Sequence, residues 1–320
     1  MREENSVRAD DSMQAASCMQ EENCVQEEKT MQADRCQRGQ SKRVRLIVAY
    51  DGTEFHGWQK QPGRRTVEGT LFDALLALTG ERTELIGASR TDSGVHAHGN
   101  VVVFDTASPI PAERFSYALN QKLPADVRVL ASESCQPDWH PRHAHGVKTY
   151  VFRVWNERIE DPLWRRQAQH VHAPLSLAPM QAAAGFLCGT HDFRSFANPQ
   201  SQVLLSGGDA VRTIYSIEIQ ASRNCHYEKN ETAAARGGAR GQMPGPQRGY
   251  HGLLTFQVTG SGFLYHMVRI LVGTLLEVGA GRRTPESMKE VLAAEDRRKA
   301  GPTAEARGLE LLEISYGDKG

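Results

Sequence analysis

Residues 263–280 (FLYHMVRILVGTLLEVGA) constrain the fold of this chain more than any other stretch. Read as a helix, the segment is apolar on nearly every face, so other parts of the chain must enclose it. It does not read as a membrane span: no uncharged apolar run approaches the length of about 18 residues that a span needs, and this one carries Arg269 at its centre. A buried guanidinium needs a carboxylate, a phosphate or water, because an unpaired charge in an apolar interior is very costly. The residues one turn away are Tyr265, His266, Val272 and Gly273, none of them acidic, and Glu277 is two turns on. The partner must therefore come from elsewhere in the chain, and Asp92 is the candidate. The competing reading is that Arg269 snorkels to solvent.

Asp92 sits in the densest polar feature, residues 87–100 (GASRTDSGVHAHGN). Gly87, Ala88, Ser89 and Gly94 let the backbone turn tightly and leave room for a ligand, and into this loop the chain places Arg90, Asp92, His96 and His98. A polar loop carried on strands is a frequent seat of catalysis. The same segment can equally be a turn capped by Asp92 with Arg90 on the surface.

Around these two features the pattern is mixed α and β. Residues 43–50 alternate with a period of two and read as a strand, as do 84–88, 100–105 and 126–132. Residues 66–78 open on the N-cap Thr66 and put Val67, Leu71, Ala74, Leu75 and Leu78 on one face, which predicts a helix. A second helix is expected over 112–121. In the second half, strands are expected at 147–155, 211–220, 252–258 and 309–315, and helices at 177–187, 263–278 and 285–294. Strands and helices in both halves predict an α+β protein of two domains built on antiparallel sheets, residues 43–145 and 146–320.

The chain carries 38 basic and 38 acidic residues, a formal net charge of zero. Taken alone, that balance discourages a nucleic-acid partner, since a phosphate backbone is held mainly by Lys and Arg. The charges are unevenly placed. Nine acids and four bases fall in the first 36 residues, so the remainder holds five more bases than acids. The acidic segment repeats every six residues (SVRADD, SMQAAS, CMQEEN, CVQEEK, TMQADR). This step carries successive apolar residues onto different helical faces, and residues 1–42 read as a disordered acidic hexapeptide-repeat tail. It lacks the apolar core of a signal peptide. Residues 229–249 read as a low-complexity Gly/Pro/Arg surface insert.

Cys135, Cys188 and Cys225 are far apart and fit a reducing cytoplasm. The His140, His143, His145 cluster has no zinc-ligand spacing, so no metal is expected. Neither phosphate-loop nor dinucleotide glycine motif is present, nor a GxSxG elbow, which argues against an NTPase, a nicotinamide enzyme and a serine hydrolase.

GASRTDSGVHAHGNVVVF resembles the signature of the tRNA pseudouridine synthase A family, usually GAGRTDAGVHAxGQVxxF. The resemblance extends over residues 44–316: YDGTEFHGWQKQ, ALNQKLPADVRV, WHPRHAHGVKTYVFRV, GTHDFRSF, Arg212, GFLYHMVRILVGTLLEVGAGR and ARGLELLEISY all look like family motifs in order. Ser89, Ser93 and Asn100 stand where the family usually has Gly, Ala and Gln. The resemblance implies the pseudouridine synthase fold, two α/β domains whose antiparallel sheets join across a central RNA-binding cleft. It also implies a homodimer without metal or organic cofactor, and isomerisation of uridine to pseudouridine at positions 38–40 of the tRNA anticodon stem and loop.

By the same resemblance Asp92 is the catalytic nucleophile or base, attacking C1′, attacking C6 or removing the 2′ proton. Tyr150 is a catalytic residue that stacks on the uracil and helps remove the C5 proton, Arg269 pairs with the aspartate as the third catalytic residue, and Arg90 helps extrude the target base. His96 is expected among the substrate contacts. Phosphate contacts are expected from basic residues such as Lys60, Arg64, Arg65, Arg142 and Lys148.

Overall fold

The computed structural model describes residues 41–222 and 252–317. The acidic repeats and the 229–249 insert lie outside the described residues.

Sixteen elements follow in chain order: β1 (Lys42–Tyr50), α1 (Val67–Thr79), β2 (Ile86–Gly87), β3 (His96–Thr106), α2 (Phe115–Asn120), β4 (Val127–Cys135), β5 (Val147–Asn156), β6 (Gln169–His170), α3 (Leu177–Gly185), β7 (Gly189–Asp192), α4 (Gln202–Leu205), β8 (Val211–Ser222), β9 (Gly252–Gly260), α5 (Met267–Gly279), α6 (Ser287–Ala294) and β10 (Leu309–Ser315). The expected elements are present, with local shifts. Residues 112–121 divide into a 3-10 turn, Ala112–Arg114, and α2. The strand expected at 100–105 begins at His96, so His96 and His98 stand on β3 and not in the loop before it.

All ten strands of the described residues belong to one mixed sheet. Its main path runs β4-β1-β3-β10-β5-β9-β8-β7, with β2 pairing β3 and β6 pairing β5. The antiparallel sheets expected in the two halves are thus continuous. Their seam is β10, which pairs antiparallel with β5 and parallel with β3 through Glu310↔His96 and Leu311↔Ala97. Gly99 permits this approach, since a Cβ there would stand 2.7 Å from the Leu312 carbonyl oxygen.

Alternation places the core. On β1, Val44, Leu46, Val48 and Tyr50 are buried; on β9, Leu254, Phe256 and Val258 are. Helix α1 starts where Thr66 accepts from the Gly69 N–H and ends at Gly80 in the left-handed region. It buries Val67, Leu71, Ala74 and Leu75, side chains worth about 1.5–3 kcal/mol each for the larger ones. Helix α5 is buried on most of its surface and packs against α3 and β5. It begins at Met267, not 263, because His266 adopts φ 62°, which no helix can incorporate.

Candidate functional site

A cleft of about 780 Å³ opens at the seam. It is walled by the loop before β3, the 56–61 segment after β1, the start of β5, residues 200–203 and the 263–268 approach to α5.

The loop bearing Asp92 is fixed from below and from the side. The buried Asn100 side chain closes its base: Oδ1 accepts from the Ser89 N–H at 3.3 Å, and Nδ2 donates to the Ser89 carbonyl at 3.0 Å and to the Tyr50 hydroxyl at 3.4 Å. Tyr50 in turn lies 2.6 Å from Thr91 Oγ1. At the side, the Trp58 N–H donates to the Thr91 carbonyl (3.0 Å), and the Gly94 N–H and Ser93 hydroxyl reach the Phe55 carbonyl (both 3.2 Å). Gly57 and Gly94 take φ of 83° and 77°, conformations that favour glycine.

Asp92 so held is 13% exposed at its side chain, and Arg269 is 14% exposed. Arg269 Nη1 donates to Asp92 Oδ2 at 3.3 Å. The guanidinium is aimed by a second bond, Nε to the Ala304 carbonyl at 2.8 Å, while the Ala304 N–H donates to the Arg269 carbonyl at 3.0 Å. The two groups of this contact are 177 residues apart in the chain, and Arg269 finds its carboxylate on a different element. His266 Nε2 approaches the same oxygen at 3.5 Å. Burial pushes the Asp92 carboxyl above its ordinary value, against the pull of His266 and Arg269. Burial, with Arg269 and Arg297, holds His266 below its ordinary value, although Asp92 pulls it upward.

Tyr150 forms another wall. It is 8% exposed, with its hydroxyl 2.8 Å from Ser89 Oγ and its ring edge-on to Phe263 at 5.2 Å. Burial pushes its hydroxyl up to about 12, so the phenol is neutral at ordinary pH. Arg90 lines the cleft, is exposed, and has no hydrogen-bond or ion-pair partner among the described residues.

The structure does not bring His96 to the cleft. Its Nδ1 accepts from the Gly52 N–H at 3.1 Å and lies 3.2 Å from Asp51, while Nε2 donates to the Arg166 carbonyl at 2.8 Å. With both ring nitrogens engaged, His96 is a structural joint. Alternation on β3 turns it away from Asp92 despite the short sequence separation.

The basic candidates also divide. Arg142 and Lys148 line the cleft. Lys148 donates to the Ala88 carbonyl at 2.9 Å, and burial, reinforced by Arg142 and Arg212, lowers it to about 8. Arg64 is exposed beside His56, and Lys60 lies over the Phe72 ring. Arg65 is committed to a two-point pair with Asp126 at 2.8 and 2.9 Å.

The cleft thus presents one carboxylate clamped by a guanidinium, together with a neutral phenol and several basic side chains. Residues 46–143 and 183–317 match the family model described as tRNA pseudouridine synthase. Proteins named tRNA pseudouridine synthase A are similar over most of the chain. That of Acetivibrio thermocellus is 39% identical over 275 residues, covering 86% of this chain and 100% of the relative. That of Brevibacillus brevis is 40% identical with the same coverage, and that of Geobacillus kaustophilus 38% identical over 280 residues, 87% and 96%. The chain belongs to the tRNA pseudouridine synthase family.

Proposed function

We propose that this protein isomerises uridine to pseudouridine in tRNA, at positions 38–40 of the anticodon stem and loop. One observation carries the reading: among the described residues lining the cleft, Asp92 is the only carboxylate. The reaction breaks N1–C1′, turns the uracil while it is held, forms C5–C1′, and moves the C5 proton's place to N1, with no net gain or loss of atoms. A second carboxylate able to activate water, as in inverting glycosidases, would trap the sugar as a hydrolysis product. One carboxylate in an enclosed site avoids that loss.

In this reading Asp92 acts as nucleophile or base, Arg269 holds it ionised, and Tyr150 stacks on the uracil with its proton retained. The unpartnered Arg90 takes the place of the extruded base. Arg64, Arg142 and Lys148 contact phosphates, each a positioning contact without base readout. The chemistry is redox-neutral and asks for no cofactor. Two lobes, residues 43–145 and 146–320, join across the RNA-binding cleft, and the protein works as a homodimer in the cytoplasm. Free Cys135 and Cys188 suit that compartment.

The test is Asp92→Asn, assayed by tritium release from 5-tritiated uridine in tRNA. Loss of release with tRNA binding and fold retained is expected; substantial product from the variant overturns the role of Asp92.

A further inference from the structure

The side-chain hydrogen bond and ion pairs made by Asp92 among the described residues all fall on Oδ2, from Arg269 Nη1 and His266 Nε2. His266 reaches that position by an uncommon backbone route. It is one of three non-glycine residues with positive φ among those described, and this turn at the mouth of α5 leaves its side chain 17% exposed on the cleft wall.

The ring's proton is placed by Asn198. Asn198 Oδ1 accepts from the Gln200 N–H at 2.8 Å, so its Nδ2 is the end left for His266 Nδ1, at 3.0 Å. An amide NH₂ can only donate, so Nδ1 is the acceptor and the ring hydrogen sits on Nε2, facing Asp92. The Asn198 N–H also donates to the Tyr265 carbonyl at 3.0 Å, which fixes the backbone just before the turn. The Tyr265 ring lies against the imidazole, with centroids 3.9 Å apart and planes tilted by 32°. The charged groups facing His266 are Asp92, Arg269 and Arg297; the two cations favour the neutral ring.

We propose that Asn198 and His266 are positioning residues that, together with Arg269, occupy Oδ2 of Asp92 and leave Oδ1 as the oxygen presented to the substrate. The inference rests on the isomerase reading above. A carboxylate held by two donors on one oxygen cannot spin, and the reacting oxygen is then fixed against the sugar before the base arrives. The Arg269 contact is the closer of the two, 3.3 Å against 3.5 Å for His266.

The experiment compares the full-length protein with His266→Gly and Asn198→Ala. Glycine suits the left-handed turn, so the fold should survive. Single-turnover tritium release should fall by about tenfold in His266→Gly, the scale of one lost hydrogen bond to a charged group. The acid limb of its pH profile should move to higher pH, because Asp92 loses a donor. KM for tRNA should be unchanged. Asn198→Ala should act in the same direction, and ¹⁵N imidazole shifts should report loss of the single Nε2–H tautomer of His266. An unchanged rate and limb in both variants, with active parent protein, overturns the relay. So does an Nδ1–H tautomer in the parent. Absence of release by the parent on any tRNA would instead overturn the isomerase reading itself, and the NMR result would still judge the relay.

Discussion

Gly273→Ala tests how Arg269 is aimed. In α5, a Cβ on Gly273 would stand 1.8 Å from the Pro302 carbonyl oxygen and 2.9 Å from its carbon. Contacts under 3.0 Å are essentially never made by a Cβ, so the helix and the 300–304 segment must part by more than an ångström. Both sides resist. The Gly301 N–H donates to Thr274 Oγ1 at 2.9 Å, and the Ala304 backbone holds Arg269 at both its Nε and its carbonyl. Overpacking of this kind costs about 1–3 kcal/mol, against a gain of about 0.5–1 kcal/mol from replacing a helical glycine. The net loss of about 1 kcal/mol should lower Tm by roughly 3 °C in thermal unfolding followed by circular dichroism. A displacement near 1 Å at Arg269 should also lower single-turnover tritium release by about a hundredfold. Gly185→Ala, at the end of α3 with open space around it, is the control and should leave Tm equal or higher. If Gly273→Ala raises Tm and keeps full activity, helix propensity has won, and the close approach that aims Arg269 is refuted.

Lys148 should produce a signature in alkaline solution. Its folded value of about 8 lies below the ordinary 10.5, so the fold disfavours the charged form. That penalty is full below pH 8 and disappears as pH rises through 10.5, since the unfolded chain binds more protons in that window. Relative to Lys148→Met, the parent protein should therefore gain stability between pH 8 and 10.5, by at most about 3 kcal/mol, as read from urea unfolding. A constant difference between the two proteins across that range would show the amine is not shifted. Arg64→Ala should reduce the slope of log affinity for tRNA against log salt by about one. Arg65→Ala should spare that slope and cost stability, because Arg65 is already spent on Asp126. Equal slopes for both variants would contradict the division.

The elements were legible because their causes are local. Alternation in β1, the Thr66 cap and apolar face of α1, and the all-round apolar character of α5 each depend on neighbours a few residues away. The need of Arg269 for a distant anion could be argued from its own helix, since burial is a property of the segment and the missing acid could be seen at positions 265–273. His96 shows where such reading stops. It lies four residues from Asp92, yet β3 begins at His96, and the pleat sends its ring to Gly52 and Arg166 instead of the cleft. His266 and Asn198 gave no signal at all, because their contact depends on a left-handed turn and a separation of 68 residues.

By itself, then, the sequence determined which segments are helix or strand, that α5 is enclosed, and that Arg269 must find a charge from another part of the chain. Only the tertiary structure decided how β10 joins β3 to β5 in one sheet, which oxygen of Asp92 receives its donors, and which basic side chains stay unspent. Strand partners and side-chain donors are chosen by the long-range balance of burial and hydrogen bonding over the whole chain, and no local pattern of residues encodes that balance.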